Sequence, residues 1–234
     1  ANTILPYEES GVLLDRISNV FFGLTSAHKT KVIADTEEKV TPILADLENE
    51  ITFNPKLFKR IKYVYEHEKN QLKGEDARLL EVIYKGFVRA GALLSASDME
   101  RMKQINMRLS KLSQQWGKLL SDATNHAVVW INTKDELAGL SEADIAQCEK
   151  DAQSRGGKAP YCIVIINTTQ QPILANLANR DVRRRVYEAS IHRADGTNPQ
   201  FNTFSIVVET AKLRAEKAKL MGYDNYADYS LEKA

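Results

Sequence analysis

The sequence predicts a mainly α-helical fold carrying one small β-containing insert. Three observations lead there. Apolar residues recur at three- and four-residue spacing from about residue 10 to residue 126, which is the mark of helices with one buried face. Two short runs rich in Val, Trp and Ile, AVVWIN at 127–132 and YCIVIIN at 161–167, interrupt that pattern. Helical spacing then returns from Gln171 onward. The chain therefore divides into a helical region at 1–126, a small α/β insert at 127–167 and a second helical region at 168–234.

In the first region, Leu13, Leu14, Ile17, Val20, Phe21 and Leu24, followed by Val32, Val40, Ile43, Leu44 and Leu47, predict one long helix over 10–50, broken near Pro42. Thr52 is the expected cap of a second helix that runs to about Asn70, and Gly74 marks the following turn. A third helix is expected over 76–94, with Leu79, Leu80, Ile83, Phe87 and Val88 as its stripe. Ser97-Asp98-Met99-Glu100 has the form of a capping box and opens a fourth helix. Its apolar positions are Met102, Ile105, Leu109, Leu112, Trp116, Leu119 and Leu120.

In the insert, Ser141 caps a short helix that ends at Gly156-Gly157, and the two flanking runs are expected to pair as a small sheet. Beyond it come a turn of helix at 173–177, a helix at 181–192, a loop at Gly196–Pro199 and a long helix over 204–221 closed by Gly222. A last helix begins near Asp224, with Tyr226, Tyr229 and Leu231 as candidate buried residues and little chain to cover them. That ending, and a start without Met, read as a cut or processed chain.

Composition removes several function classes. Of 234 residues, 43% are apolar and 27% charged, the balance of a soluble globular chain. Lys and Arg number 32 against 31 Asp and Glu, a net charge of +1 that argues for neither nucleic acid nor an anionic membrane as partner. The most basic cluster, Arg183-Arg184-Arg185, reads as a solvated helix face. No apolar run approaches the roughly 18 residues of a membrane span. Two cysteines, Cys148 and Cys162, do not make a disulfide scaffold and favour a reducing compartment, though one bridge between them stays open.

One stretch invites a metal reading. HEKNQ, His67 to Gln71, differs by one residue from HExxH, in which two imidazoles one helical turn apart hold zinc and the Glu polarises its water. Here the second imidazole is replaced by Gln71, a poor zinc ligand, and the helix is expected to stop at 70–74. His28, His126 and His192 lie at no ligand spacing from one another. HEKNQ is expected to be a solvated helix end with Glu66, His67, Glu68 and Lys69 outward. Gly156-Gly157-Lys158 lacks a phosphate-loop frame, and no GxSxG elbow occurs. Cys162 reads as core, Cys148 has no histidine nearby in sequence, and Asp151, Asp181 and Asp195 read as surface carboxylates.

Two later segments carry a resemblance. TTQQPILANLANRDVRRRVYEASIHRA resembles the thimet-oligopeptidase (M3) family of zinc metallopeptidases through Pro172, Arg180, Arg184, Tyr187, Ala189 and Arg193, in which an extended Pro-containing segment precedes a helix. The tail LRAEKAKLMGYDNYADYSLEKA is closer to the family pattern, through Arg214, Glu216, Ala218, Leu220, Met221, Gly222, Tyr223, Tyr226, Ala227, Tyr229 and Leu231. Leu109, Leu112 and Trp116, then Leu137 to Ser141, extend the resemblance backward, weakly before residue 75. Within the family the chain looks most like the bacterial peptidyl-dipeptidase branch, close to oligopeptidase A.

The resemblance implies the helical N-terminal portion of a zincin-like oligopeptidase. Its zinc would sit on an HExxH helix beyond residue 234, with a Glu from a following helix. It implies no catalytic or metal residue in this segment, which would form part of the wall of a channel for short unfolded peptides; the residues touching substrate are not identified. The implied partners are such peptides and a C-terminal catalytic lobe of the same chain, in the cytoplasm, with the periplasm as the alternative. The isolated segment is expected to be inactive, to hold no zinc and to expose an apolar patch able to drive dimerisation. Two other readings stand beside it: a free-standing helical peptide-binding or assembly protein, and an enzyme using Cys148 or Cys162.

Overall fold

A computed structural model describes residues 2–232. The chain forms two compact units, residues 1–113 with 210–234, and residues 114–209. Helices α1 (Ile4–Ser10), α2 (Val12–Ala27), α3 (Lys31–Thr52), α4 (Pro55–Glu68) and α5 (Gly74–Ala90) lie in the first unit. Helix α6 (Ala96–His126) begins there and continues into the second. The second unit holds β1 (Val128–Ile131), a short 3-10 turn (Lys134–Leu137), α7 (Glu142–Ser154), β2 (Tyr161–Val164), α8 (Asn167–Asn176), α9 (Arg180–Ile191) and a 3-10 turn at Pro199–Phe201. Helix α10 (Phe204–Leu220) returns to the first unit, which closes with α11 (Tyr226–Leu231).

Several helix boundaries differ from the sequence reading, each for a local reason. The expected helix over 10–50 is two helices separated at His28–Thr30, where the Thr30 side chain accepts from Ile33 N at 3.3 Å and starts α3 afresh. Pro42 sits inside α3, where the helix absorbs the one hydrogen bond proline cannot donate. Thr52 is the last residue of α3 and caps nothing. Asn54 caps α4, accepting from Lys56 N and Leu57 N at 3.0 Å, with Pro55 in the first turn, where its missing N–H costs least. Helix α6 starts two residues before the expected box, because Ser95 supplies the cap oxygen to Asp98 N at 3.2 Å. Pro172, expected in an extended segment, lies within α8.

Three helices end in a left-handed glycine. Gly91, Gly156 and Gly222 have φ of +110°, +93° and +82°. In each case the next N–H reaches back to the carbonyl five residues earlier: Ala92 to Phe87, Gly157 to Ala152 and Tyr223 to Ala218, at 2.8–3.0 Å. These bonds occupy carbonyls that the helix ends would otherwise leave unpaired.

The core of the first unit is aromatic and aliphatic. Phe58 and Ile61 of α4 meet Ile83 and Phe87 of α5, with Ile4, Tyr7 and Ile51 packed around them. Leu80, Ile83 and Phe87 are the buried part of the expected α5 stripe. Met102, Ile105 and Leu112 are fully buried on α6, whereas Trp116 is exposed. Of the candidate buried residues in α11, Tyr226 and Tyr229 are partly covered but Leu231 is 65% exposed.

In the second unit β1 and β2 pair antiparallel, with Val129 opposite Ile163 and Trp130 opposite Cys162. Both faces of this ribbon are covered. Val129, Ile131 and Ile163 join Leu137, Ile145, Ile173, Leu177, Val182 and Val186 in the main core. On the other face Cys162 and Val164 join Ala152, with Val128 and Trp130 beside them. A two-stranded ribbon alone is marginal in water, so this coverage sustains it.

The cysteines are part of that packing. Both are free and buried, Cys148 in the main core and Cys162 within the ribbon. Burial raises both thiols, Cys148 to about 11, with Asp151 adding to the effect. A thiol held protonated is a weak nucleophile.

Two predictions follow from this packing. A Cβ at Gly139, where φ is +96°, would lie 2.2 Å from the Asn176 carbonyl oxygen and 2.8 Å from Ala178 N. Gly139→Ala should therefore cost about 3 kcal/mol in urea unfolding, and a loss under about 1 kcal/mol would contradict the close approach. Native Cys148 and Cys162 should resist iodoacetamide at pH 8 and react fully in denaturant, read by mass spectrometry. The stability contributed by the raised Cys148 thiol is complete below its unfolded value of about 8.5 and is lost as pH rises through about 11.

Candidate functional site

In HEKNQ the fold does not set His67 and position 71 on one helical turn. Helix α4 ends at Glu68, so Gln71 lies beyond it, its N–H donating to the Glu68 carbonyl at 2.9 Å. His67 is exposed, stacks on Tyr63 with ring centroids 4.2 Å apart and donates from Nδ1 to the Tyr63 carbonyl at 2.9 Å. Glu66, Glu68 and Lys69 are exposed as well. Among the described residues no group of three or more His, Cys, Asp or Glu could hold a metal ion. These residues do not fit the zinc that the family resemblance implies, and no step of a zinc reaction is assigned to them.

The arginine triplet corrects the solvated-face reading. Only Arg184 is exposed, with loose contacts of 3.9 Å to Asp181 and Glu188. Arg183 donates to the carbonyls of Leu177 and, at 2.8 Å, Ala178, tying α9 to the segment before it. Arg185 donates to the Trp130 carbonyl on β1 and to Glu136 Oε1 at 3.1 Å. The other oxygen of Glu136 accepts from Asn132 N and Thr133 N at 2.9 and 3.1 Å. Those backbone donors first, then Arg185, hold the Glu136 carboxyl below its ordinary range. Helical spacing cannot reveal the Arg185 contacts, because their acceptors, the Glu136 carboxylate and the Trp130 carbonyl, lie 49 and 55 residues away.

The aspartates also have partners. Asp151 accepts from Gln147 at 2.9 Å. Asp195 sits 2.6 Å from His192 Nδ1 and accepts from Thr197 N at 2.9 Å. His192 first, then Thr197, lowers its carboxyl to about 2. Next to it Ala194 adopts φ +59°, its carbonyl accepting from both the amide and the hydroxyl of Thr203. The pair fastens a loop and has no nucleophile assigned to it.

The first unit contains a cavity of about 990 Å³ bounded by α1, α2, α3, α5, α6, α10 and α11. A line of polar side chains reaches into it. Lys217 Nζ donates to Asn106 Oδ1 at 2.8 Å, and Asn106 Nδ2 donates to Asn49 Oδ1 at 3.1 Å. Burial lowers the Lys217 ammonium pKa, partly offset by the charge of Glu48. Arg89 also lines the cavity, pairs with Glu232 and lies 4.9 Å under the Tyr229 ring.

Of the residues that carry the family resemblance, Leu109 and Tyr229 line this cavity, and others make contacts elsewhere in the same unit. Glu216 on α10 grips Arg101 on α6 through two bonds of 2.5 and 2.8 Å. Arg214 lies 5.2 Å from the Tyr226 ring, Ala218 is fully buried, and Tyr229 Oη donates to the Arg89 carbonyl at 3.1 Å. The Gly222 turn sets the direction in which the chain enters α11.

Comparison with known sequences agrees with that resemblance. Residues 173–234 match Peptidase family M3. The chain is 35% identical over 231 residues to the dipeptidyl carboxypeptidase of Escherichia coli strain K12, covering 98% of this chain and 34% of that protein. The Salmonella typhimurium dipeptidyl carboxypeptidase gives the same identity and coverage. Oligopeptidase A of Haemophilus influenzae is 26% identical over 238 residues, covering 98% of this chain and 34% of the relative. The chain thus spans about a third of the length of the curated relatives it matches. Over nearly its whole length the chain is similar to dipeptidyl carboxypeptidase and oligopeptidase A, and residues 173–234 match the M3 peptidase family.

Proposed function

We propose that this chain is the N-terminal portion of a zinc-dependent peptidyl-dipeptidase that hydrolyses short unfolded peptides, and that it furnishes part of the substrate-channel wall. The observation that carries the reading is the 35% identity to dipeptidyl carboxypeptidase across 98% of this chain. The zinc, its ligands and the catalytic water belong to a lobe outside these residues. That assignment rests on His67 and Gln71, which lie at the exposed end of α4 and beyond it. The cytoplasm is the proposed compartment, with the periplasm as the alternative; among the described residues no helix is long and apolar enough to cross a membrane.

An unpartnered apolar face supports the missing lobe. Leu13, Ile17 and Val20 follow one stripe of α2 and are 71%, 59% and 67% exposed. Such a stripe is uncommon on a finished surface and is proposed as the docking face for the remainder of the protein. In the isolated chain the same face would pair with a second copy.

Reading the coding sequence past codon 234 tests the first claim: an HExxH helix downstream supports it, and an immediate stop codon sinks it. The purified chain should contain no stoichiometric zinc and should not cleave a blocked peptide. One zinc per chain, lost on His67→Ala, would reverse the assignment of the metal to another lobe. Light scattering should detect concentration-dependent dimers that Ile17→Glu with Val20→Glu abolishes; a clean monomer of the unaltered chain at high concentration would remove the docking-face reading.

A further inference from the structure

A separate cavity lies wholly within the second unit. It measures about 550 Å³, inside the range of small-ligand sites. Leu120 and Thr124 of α6, Ile166 and Thr168 where α8 begins, Ser190 of α9 and Arg193 just beyond α9 line it. These six residues supply two aliphatic side chains, three hydroxyls and one guanidinium, and no carboxylate.

The guanidinium is fixed on one side and open on the other. Arg193 Nε donates to the Ser190 carbonyl at 3.2 Å, and Nη1 donates to the Ile165 carbonyl at 3.3 Å. Nη1 also lies 3.5 Å from Thr124 Oγ1, whose own hydrogen goes to the Leu120 carbonyl at 2.8 Å. A guanidinium carries five N–H groups, and two of them sit on Nη2. Among the described residues those two find no acceptor. The hydroxyls of Thr168 and Ser190 make no hydrogen bond among the described residues either, so both are free to donate into the cavity.

The charge of Arg193 is also unmatched. All its acceptors are neutral carbonyls and one hydroxyl, although the residue is half-buried. Three carboxylates stand two positions from a lining residue, and none of them lines the cavity. Glu188 turns to Arg184 at 3.9 Å, Asp195 is taken by His192 at 2.6 Å, and Asp122 is exposed. A partly desolvated cation gains most from an anion that brings its own acceptors.

We infer that this cavity binds a phosphate group, as inorganic phosphate or on a phosphomonoester, between Arg193 Nη2 and the hydroxyls of Thr168 and Ser190. The planar, always-charged guanidinium fork matches phosphate oxygens, and the two hydroxyls donate to those that remain. Donors arriving from three separate points of the chain suit a tetrahedral group with three terminal oxygens better than a planar one with two. Leu120 and Ile166 give the organic part of an ester an apolar surface. The inference does not require the peptidase reading and would survive its failure.

Nitrogen-15 NMR of this chain, titrated near neutral pH with inorganic phosphate, phenyl phosphate and benzoate, tests it. Both phosphates should shift the Thr168 and Ser190 amides and the Arg193 Nε–H, and benzoate should bind at least about tenfold more weakly. Tighter binding of phenyl phosphate than of inorganic phosphate identifies an ester as the source; equal affinities identify free phosphate. Thr168→Glu, which sets a carboxylate beside the guanidinium, should weaken phenyl phosphate binding at least about tenfold. Ser190→Ala, which removes one donor, should weaken it about threefold or more. Circular dichroism and thermal melting check that each variant is folded. No shift at these three groups with either phosphate, benzoate bound as tightly as phenyl phosphate, or unchanged affinity in a folded Thr168→Glu chain would each overturn the site.

Discussion

The guanidinium of Arg185 is the group on which the second unit most depends. A ribbon of two four-residue strands leaves outer backbone groups unpaired and cannot persist alone. Arg185 reaches from α9 to the Trp130 carbonyl on β1 and to the Glu136 carboxylate, which in turn gathers the amides of Asn132 and Thr133. One cation thus fixes the exit of β1, the turn after it and the rotation of α9. With α9 in that setting, Val182 and Val186 face the ribbon and complete the core. The close approach of Gly139 to Asn176 and Ala178 shapes the same unit by excluding a side chain.

The first unit uses a different device. Its helices meet through Phe58, Ile61, Ile83 and Phe87, and the chain returns through α10 to place Lys217 near Asn106 and Asn49. Buried polar chains of this kind fix orientation, because every member must match donor to acceptor. The Arg101–Glu216 pair is exposed and contributes little to stability, yet its bidentate geometry sets α10 against α6.

The residues that carry the family resemblance do two kinds of work. Glu216, Ala218, Gly222 and Tyr229 are explained inside this chain, as an ion pair, a close packing contact, a left-handed helix end and a partner of Arg89. Arg193 is explained too, donating to the Ile165 and Ser190 carbonyls. Arg180, Arg184 and Tyr187 are exposed, and nothing in these residues explains why the pattern includes them. Sequence similarity here records the fold of a region as well as any reaction.

Local patterning alone determined much of this protein. The helical stripes, the two Val- and Ile-rich strands, the Ser141 cap and the Gly222 turn depend on neighbours within a few residues, so spacing and turn chemistry suffice to place them. The same logic separates HEKNQ from HExxH, since Gln71 is a carboxamide and lies past the helix end. Local signals failed where two were in competition: Thr30 outweighed Pro42 as a boundary, and Asn54 with Pro55 outweighed Thr52. What only the tertiary structure decided was which polar residues are surface and which are framework. Arg185 and Glu136 lie 49 positions apart, and Lys217 and Asn106 lie 111 apart. No periodicity carries information over such separations; those pairings exist because the fold brings the partners together, and burial removes competing water at Lys217.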